Sequence, residues 1–217
     1  MKIDFVSDVS CPWCAIGLQS LQTALAELDG EIGVELHFQP FELNPEMVPE
    51  GESIDEHLSA KYGTTAEQNA QNREAIRARG EALGFEFRMD KRSRIYNTFD
   101  AHRLLHWAGL QPDAALQHEL KRALFTAYFT DGLDPSDPEV LVHAASEAGL
   151  DPEGAREVLA SNAYAQEVRE AEQFYQSQGI RAVPSVIVNQ RHLLQGGQPP
   201  EVYLRALRQI AAEHDAT

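Results

Sequence analysis

The chain predicts an α/β fold in which a β-α-β unit and a β-β-α unit flank a long helical block. Three observations carry this reading. Near the start, a short apolar strand, Ile3 to Val6, leads into a helical repeat of Ile16, Leu18, Leu21, Leu25 and Leu28, and a second strand, Val34 to Phe38, follows. From Ser53 to Gln178 the texture is helical, with breaks at Gly63, Gly84, Gly109, Gly132, Pro135 and Gly149. The tail then returns to strands, SVIVN at Ser185 to Asn189 and HLLQ at His192 to Gln195, before a last helix.

Each element has its own justification. The first strand, helix and second strand fit residues 2 to 43, and Pro40 and Pro45 in PFELNP discourage a regular continuation. The helical block reads as Ile54 to Tyr62, Ala66 to Leu83, Thr98 to Ala108, Ala114 to Phe129, Pro138 to Ala148 and Ala163 to Gln178. Within it Phe99, Leu104, Leu105, Trp107, Leu120, Leu124, Phe125, Tyr128 and Phe129 recur at helical spacing, which assigns them to a core rather than to a ligand site. The last helix begins around Pro199 and Pro200, where proline suits a first turn, and runs through Val202, Leu204, Leu207 and Ile210. Three segments result: 1–43, 44–161 as the insertion, and 162–217.

Composition excludes several classes of partner. With 217 residues and 43% hydrophobic content the chain can bury a sizeable core, as one large domain or a core with an inserted subdomain. Its 34 acidic against 18 basic residues give a net charge of −16, which repels nucleic acid and anionic membrane. The short basic stretch Arg88 to Arg94 reads as a solvated loop. No apolar run approaches the roughly 20 residues of a membrane span, and Asp4 and Asp8 interrupt the segment a signal peptide would need. A cytoplasmic location is expected, where a structural disulfide is a poor use of cysteine and a catalytic or metal-binding pair a better one.

Both cysteines fall in DVSCPWCAIG, two residues apart at the end of the first strand. Only about 1% of random placements of two cysteines would give this separation, so the spacing needs a cause. A helix that starts where a strand ends has unpaired N–H groups and a partial positive charge at that end. With Cys11 as N-cap and Pro12 at the first helical position, the Cys11 sulfur is expected to face those donors and be held as thiolate. Cys14 lies one turn further along the same face, within reach of a mixed disulfide formed at Cys11. The spacing therefore supplies a nucleophile with its own resolving partner.

A second signal is distant in sequence. In GIRAVPSVIVN, Pro184 opens a strand, an ordinary place for proline when considered alone. Next to a C-x-x-C at a strand-to-helix junction, it matches the loop that faces the dithiol in thioredoxin folds.

CPWC after the first strand, PFELNP after the second, NTFDAHRLLHWAG in the helical block and GIRAVPSVIVNQRHLLQGGQPPE in the tail together resemble the DsbA-like thioredoxin family, in its cytoplasmic FrnE-like branch. The resemblance spans nearly the whole chain. It implies a thioredoxin fold with a large all-helical insertion, and thiol-disulfide exchange on protein or small-molecule disulfides as a reductase or isomerase. Cys11 would be the attacking thiol, Cys14 the resolving thiol, and Pro184 a cis-proline whose neighbour Val183 pairs with substrate through its backbone. Pro12 and Trp13 complete the implied substrate contact. Strongly oxidising members carry a histidine where this chain has Trp13, which supplies no positive charge, so a less oxidising couple is expected; Trp13 can equally serve as a contact surface for unfolded substrate. No bound cofactor is implied, glutathione serving at most as an external reductant, and the oligomeric state is open between monomer and homodimer.

Two rival chemistries compete. Kappa-class glutathione transferases and hydroxychromene carboxylate isomerases share the insertion, but carry serine where Cys11 stands and a Ser-Asp pair where this chain has Gly197 and Gln198. Alternatively His102 and His106, four apart on one helical face, could join the cysteines in a zinc site. A proton acceptor for Cys14 is required and not assigned: Asp8, Glu35, His37 and Glu42 lie near the right elements, yet each reads equally well as an exposed polar residue, as do His143 and His192. Phe41, Leu43, Tyr96 and Phe99 are candidates for a groove lining, with core packing as the alternative.

Overall fold

The strand KIDFVS is buried along almost its whole length, as a central strand must be. In a computed structural model, which describes the backbone of residues 1–215 and side chains as far as residue 213, this strand, β1 (Lys2–Ser7), pairs parallel with β2 (Glu35–Pro40) and antiparallel with β5 (Ser185–Val188). β6 (His192–Gln195) pairs antiparallel with β5, so the sheet order is β2-β1-β5-β6. Phe5 sits opposite both Phe38 and Val186 in this register. The parallel β1–β2 pair needs a crossover, and α1 (Pro12–Glu27) supplies it.

Alternation along β1 divides the packing. Ile3 and Phe5 face Leu18 and Leu21 of α1 together with Tyr203 and Leu207 of α9 (Pro200–Asp215). Val6 points the other way, into a smaller cluster with Phe41, Tyr175 and Ile180. Between β2 and β5 the chain forms α2 (Ile54–Tyr62), α3 (Ala66–Ala82), α4 (Phe99–Gly109), α5 (Ala115–Phe125), α6 (Pro138–Glu147), α7 (Pro152–Leu159) and α8 (Ala165–Ser177). Leu104, Leu105, Leu120, Leu124, Leu141 and Val158 make a second core there. Val9, two residues before Cys11, is fully buried in that second core, which anchors the loop after β1 to the insertion.

The helical block departs from the periodicity in three places. The helix expected to reach Phe129 stops at Phe125 and continues as one wide π-type turn, Thr126–Thr130. That turn lets the Tyr128 hydroxyl donate to the Arg94 carbonyl at 2.9 Å. α7 was not expected; its start is set by Asp151, which accepts from the backbone N–H groups of Glu153 and Gly154, and by Pro152 in the first turn. β3 (Glu52–Ser53) and β4 (Arg94–Ile95) form an antiparallel pair too short to show any pattern.

The basic stretch is structural rather than a solvated loop. Arg92 stacks over the rings of Tyr128 and Phe129, with centroids at 4.7 and 5.0 Å, and donates to the Ser10 carbonyl at 3.3 Å. Arg94 donates to the carbonyls of Glu50 and Gly51. Among the described residues no helix is long and apolar enough to cross a membrane.

Candidate active site

The dithiol is built at the junction of β1 and α1. Cys11 is the N-cap in extended conformation (φ −91°, ψ 112°), Pro12 opens the helix, and the Cys11 carbonyl accepts from the Cys14 N–H at 3.0 Å. Pro12 costs nothing here because the first helical N–H has no intrahelical partner anyway. Cys11 is 4% exposed and Cys14 is fully buried behind it, so a substrate can reach only the first sulfur. Both are free thiols. Trp13, between them, is 43% exposed.

One expectation needs correction. The Cys11 sulfur was expected to face the helix donors, yet it makes no side-chain cap. It donates instead to the Val183 carbonyl at 3.8 Å. The Val183–Pro184 peptide bond is cis. The loop is held by the Gly196 N–H, which donates to the Pro184 carbonyl at 2.8 Å, and by the Ser185 hydroxyl, which donates to the Ala182 carbonyl at 2.8 Å. Two glycines allow the close approach: a Cβ on Gly17 would lie 2.9 Å from Pro184 Cγ, and one on Gly197 would lie 3.0 Å from the Trp13 carbonyl oxygen. Cys11, Cys14, Val183 and Pro184 thus come together, with Pro12 and Trp13 at the edge.

Burial first, and then the adjacent Cys11 sulfur, push the Cys14 thiol well above the usual thiol range, against smaller pulls from the Asp8 backbone amide and Lys121. The two sulfurs are therefore unequal.

Several polar residues near the dithiol are buried, among them Asp8 and Glu42, for which an exposed position was one of two readings. Asp8 is fully buried and accepts from the Ser10 N–H and hydroxyl and from the Leu43 N–H, at 3.1, 3.0 and 2.6 Å. His102 Nε2 lies 3.7 Å from Asp8 Oδ1, an ion-pair distance rather than a hydrogen bond. Burial opposes ionisation of Asp8, but His102 and the Leu43 and Ser10 amides outweigh it and hold the carboxyl below its usual value. Glu42 is buried and paired with Arg169. Lys121, which nothing in the pattern singled out, is completely buried at the same place, and burial brings it down to about 8 against the attractions of Cys14, Asp8 and Cys11. Glu35 and His37 stay partly or largely exposed on the edge strand, and His143 is exposed.

The remaining candidates are dispersed. His106 stacks near Tyr164 rather than beside His102's partner, and among the described residues no three His, Cys, Asp or Glu side chains gather to hold a metal ion. Phe41 belongs to the core, Tyr96 packs edge-on to Tyr128, and the Phe99 ring carries the Arg169 guanidinium at 3.8 Å. Tyr62 of α2 is 57% exposed, with the Lys61 ammonium 5.6 Å from its ring centroid.

A sheet in this order, with a large helical insertion and two close cysteines where the first strand enters its helix, defines the thioredoxin-fold dithiol proteins. The chain belongs to the DSBA-like thioredoxin domain family, which matches residues 2–208. It is similar to the crystal structure of a probable DsbA oxidoreductase, SCO1869, from Streptomyces coelicolor: 35% identity, TM-score 0.90, covering 98% of this chain and 91% of the other. A Bacillus subtilis (strain 168) protein, YwbO, is 26% identical over 208 residues, covering 95% of this chain and 96% of its own. A 2-hydroxychromene-2-carboxylate isomerase shares the fold alone, with 14% identity and a TM-score of 0.73 over 100% of this chain and 98% of that one.

Proposed function

We propose that the protein is a thiol-disulfide oxidoreductase of the FrnE-like cytoplasmic branch, working as a reductase or isomerase on protein or small-molecule disulfides through Cys11 and Cys14. The observation that carries this reading is the asymmetry of the pair: a slightly accessible sulfur beside the Val183 carbonyl, and a buried sulfur one turn behind it. Cys11 thiolate attacks a substrate disulfide and releases one substrate sulfur as thiolate. Cys14 then attacks Cys11, closing the Cys11–Cys14 disulfide and releasing the second substrate sulfur. The cysteine pair is oxidised by two electrons and the substrate reduced, and an external thiol such as glutathione returns the pair to the dithiol.

Val183, whose carbonyl meets Cys11, offers the backbone group against which a bound chain is held, and Pro184 keeps that loop against α1. Pro12 and Trp13 form the edge of the contact, Trp13 being 43% exposed. The helical fold shared with the isomerase does not favour its chemistry here, because the attacking position is cysteine and positions 197 and 198 are Gly and Gln, without a carboxylate.

Insulin-disulfide reduction, run beside a glutathione redox titration, tests the proposal. Cys11→Ser is expected to abolish turnover. Cys14→Ser is expected to accumulate a mixed disulfide at Cys11 that mass spectrometry detects. Reduction that survives Cys11→Ser contradicts the assignment.

A further inference from the structure

We infer that Lys121, from the helical insertion, accepts the proton of Cys14 as Cys14 attacks the mixed disulfide, and that the cavity below β2 carries that proton to solvent. The inference rests on the exchange reaction proposed above and concerns its second step only.

The geometry raises the question before chemistry is considered. Lys121 is completely buried, and its Nζ has no hydrogen-bond partner among the described residues; the Phe125 ring centroid lies 5.0 Å away. A buried amine without a partner is costly and calls for a reason. Phe125, over whose ring it lies, shares one core cluster with Cys11 and Cys14, and the charges acting on Lys121 are those of Cys14 and Cys11 from the start of α1 and Asp8 from the loop after β1. Across the adjoining cavity of 170 Å³, which Lys121 helps to line, stand His102 and His106 of α4 and His37 of β2. The His37 side chain is 43% exposed and Leu110, also in the lining, is 60% exposed, so the cavity meets solvent at the edge strand. Trp13, Tyr62 and Val183 are not in that lining. A substrate covering Cys11 therefore leaves this exit open.

Electrostatics makes the transfer conditional on substrate. A lysine held at about 8 by burial is matched to accept a proton near neutrality. After burial, the chief obstacle to ionising Cys14 is the Cys11 sulfur. Once Cys11 is bonded to substrate it carries no charge, and that obstacle disappears. Lys121 loses only the smallest of its three attractions at the same moment. The gap between donor and acceptor thus narrows when there is a mixed disulfide to resolve. In the step itself the Cys14 S–H proton passes to the Lys121 amine, and the Cys14–Cys11 bond forms. The bond from Cys11 to substrate breaks, and the substrate sulfur leaves with the electron pair. The ammonium returns its proton through the cavity.

Stopped-flow reaction of the reduced protein with 5,5′-dithiobis(2-nitrobenzoate) separates the steps, since attack by Cys11 and resolution by Cys14 each release one coloured thiolate. In Lys121→Met the first release is expected to keep its rate and the second to slow about 100-fold at neutral pH, the low end for general base catalysis. Lys121→Arg, which retains charge but does not give up a proton, is expected to be equally slow in the second release. A second release unchanged in Lys121→Met, slowing of both releases alike, or recovery in Lys121→Arg overturns the inference while leaving the exchange reading intact. In wild-type protein the second release is expected to rise with pH and level off at about 8, and a flat profile contradicts it even if a variant fails to fold. Absence of both releases overturns the exchange reading itself.

Discussion

Asp8 gathers more of the site than any other single side chain. Its carboxylate holds the Ser10 amide and hydroxyl, the Leu43 amide and the approach of His102, while its carbonyl accepts from the Cys11 N–H at 3.2 Å. Asp8→Ala is expected to cost about 3 kcal/mol in urea unfolding, because it leaves buried donors without a partner. A loss too small to measure would contradict that role. Since the folded carboxyl lies below its ordinary value of 3.8, its stabilisation is present above that pH and lost as pH falls through the folded value. At this scale the sequence revealed Cys11 and Cys14, because a C-x-x-C at a helix start is a local feature. Asp8 and His102 were candidates, but their burial was not legible, and Lys121 was not singled out at all. Nothing local distinguishes a charged residue that tertiary packing will bury, and Lys121 sits on a helix whose exposed positions also carry charge.

The contact between α1 and the loop before β5 depends on two glycines at the level of elements. Alanine in a helix interior is ordinarily more favourable than glycine by about 1 kcal/mol. Gly17→Ala is expected to do the reverse, lowering the melting temperature and slowing the first release in the disulfide assay, because its Cβ would meet Pro184 at 2.9 Å. A rise in melting temperature with unchanged kinetics would show that the loop yields freely. Strong periodicity made the sheet strands and the long helices readable. α7 is amphipathic but only eight residues long, two turns that a repeat cannot mark out even with the Asp151-Pro152 start, and the π-type turn after Phe125 reflects tertiary demands on Tyr128 and Phe129 that no helical repeat encodes.

Across the whole molecule, the end of β2 and the helix α8 that leads towards β5 are tied by Glu42 and by Arg169 and Glu172. Burial, and then the neighbouring Glu172 charge, raise Glu42; burial raises Glu172 despite Arg169. A carboxyl raised on folding gives its full stability below the ordinary value of 4.5 and loses it as pH rises through the folded value. Glu172→Gln is therefore expected to stabilise the protein at neutral pH by about 1 kcal/mol, a modest figure because Arg169 is partly solvated, or roughly 2–4 °C in melting temperature. Destabilisation at neutral pH and gain at acid pH would reverse that sign. The sequence conveyed the order of strands around a helical insertion, but not this tie, since its members are 127 residues apart.

The division of labour between the two sulfurs is tested most directly by alkylating the reduced protein with iodoacetamide across pH and reading each cysteine by peptide mass spectrometry. The account predicts that at neutral pH Cys11 is modified on the order of ten times faster than Cys14, whose reaction gains speed only at higher pH. Equal modification of both, or earlier modification of Cys14, would contradict it.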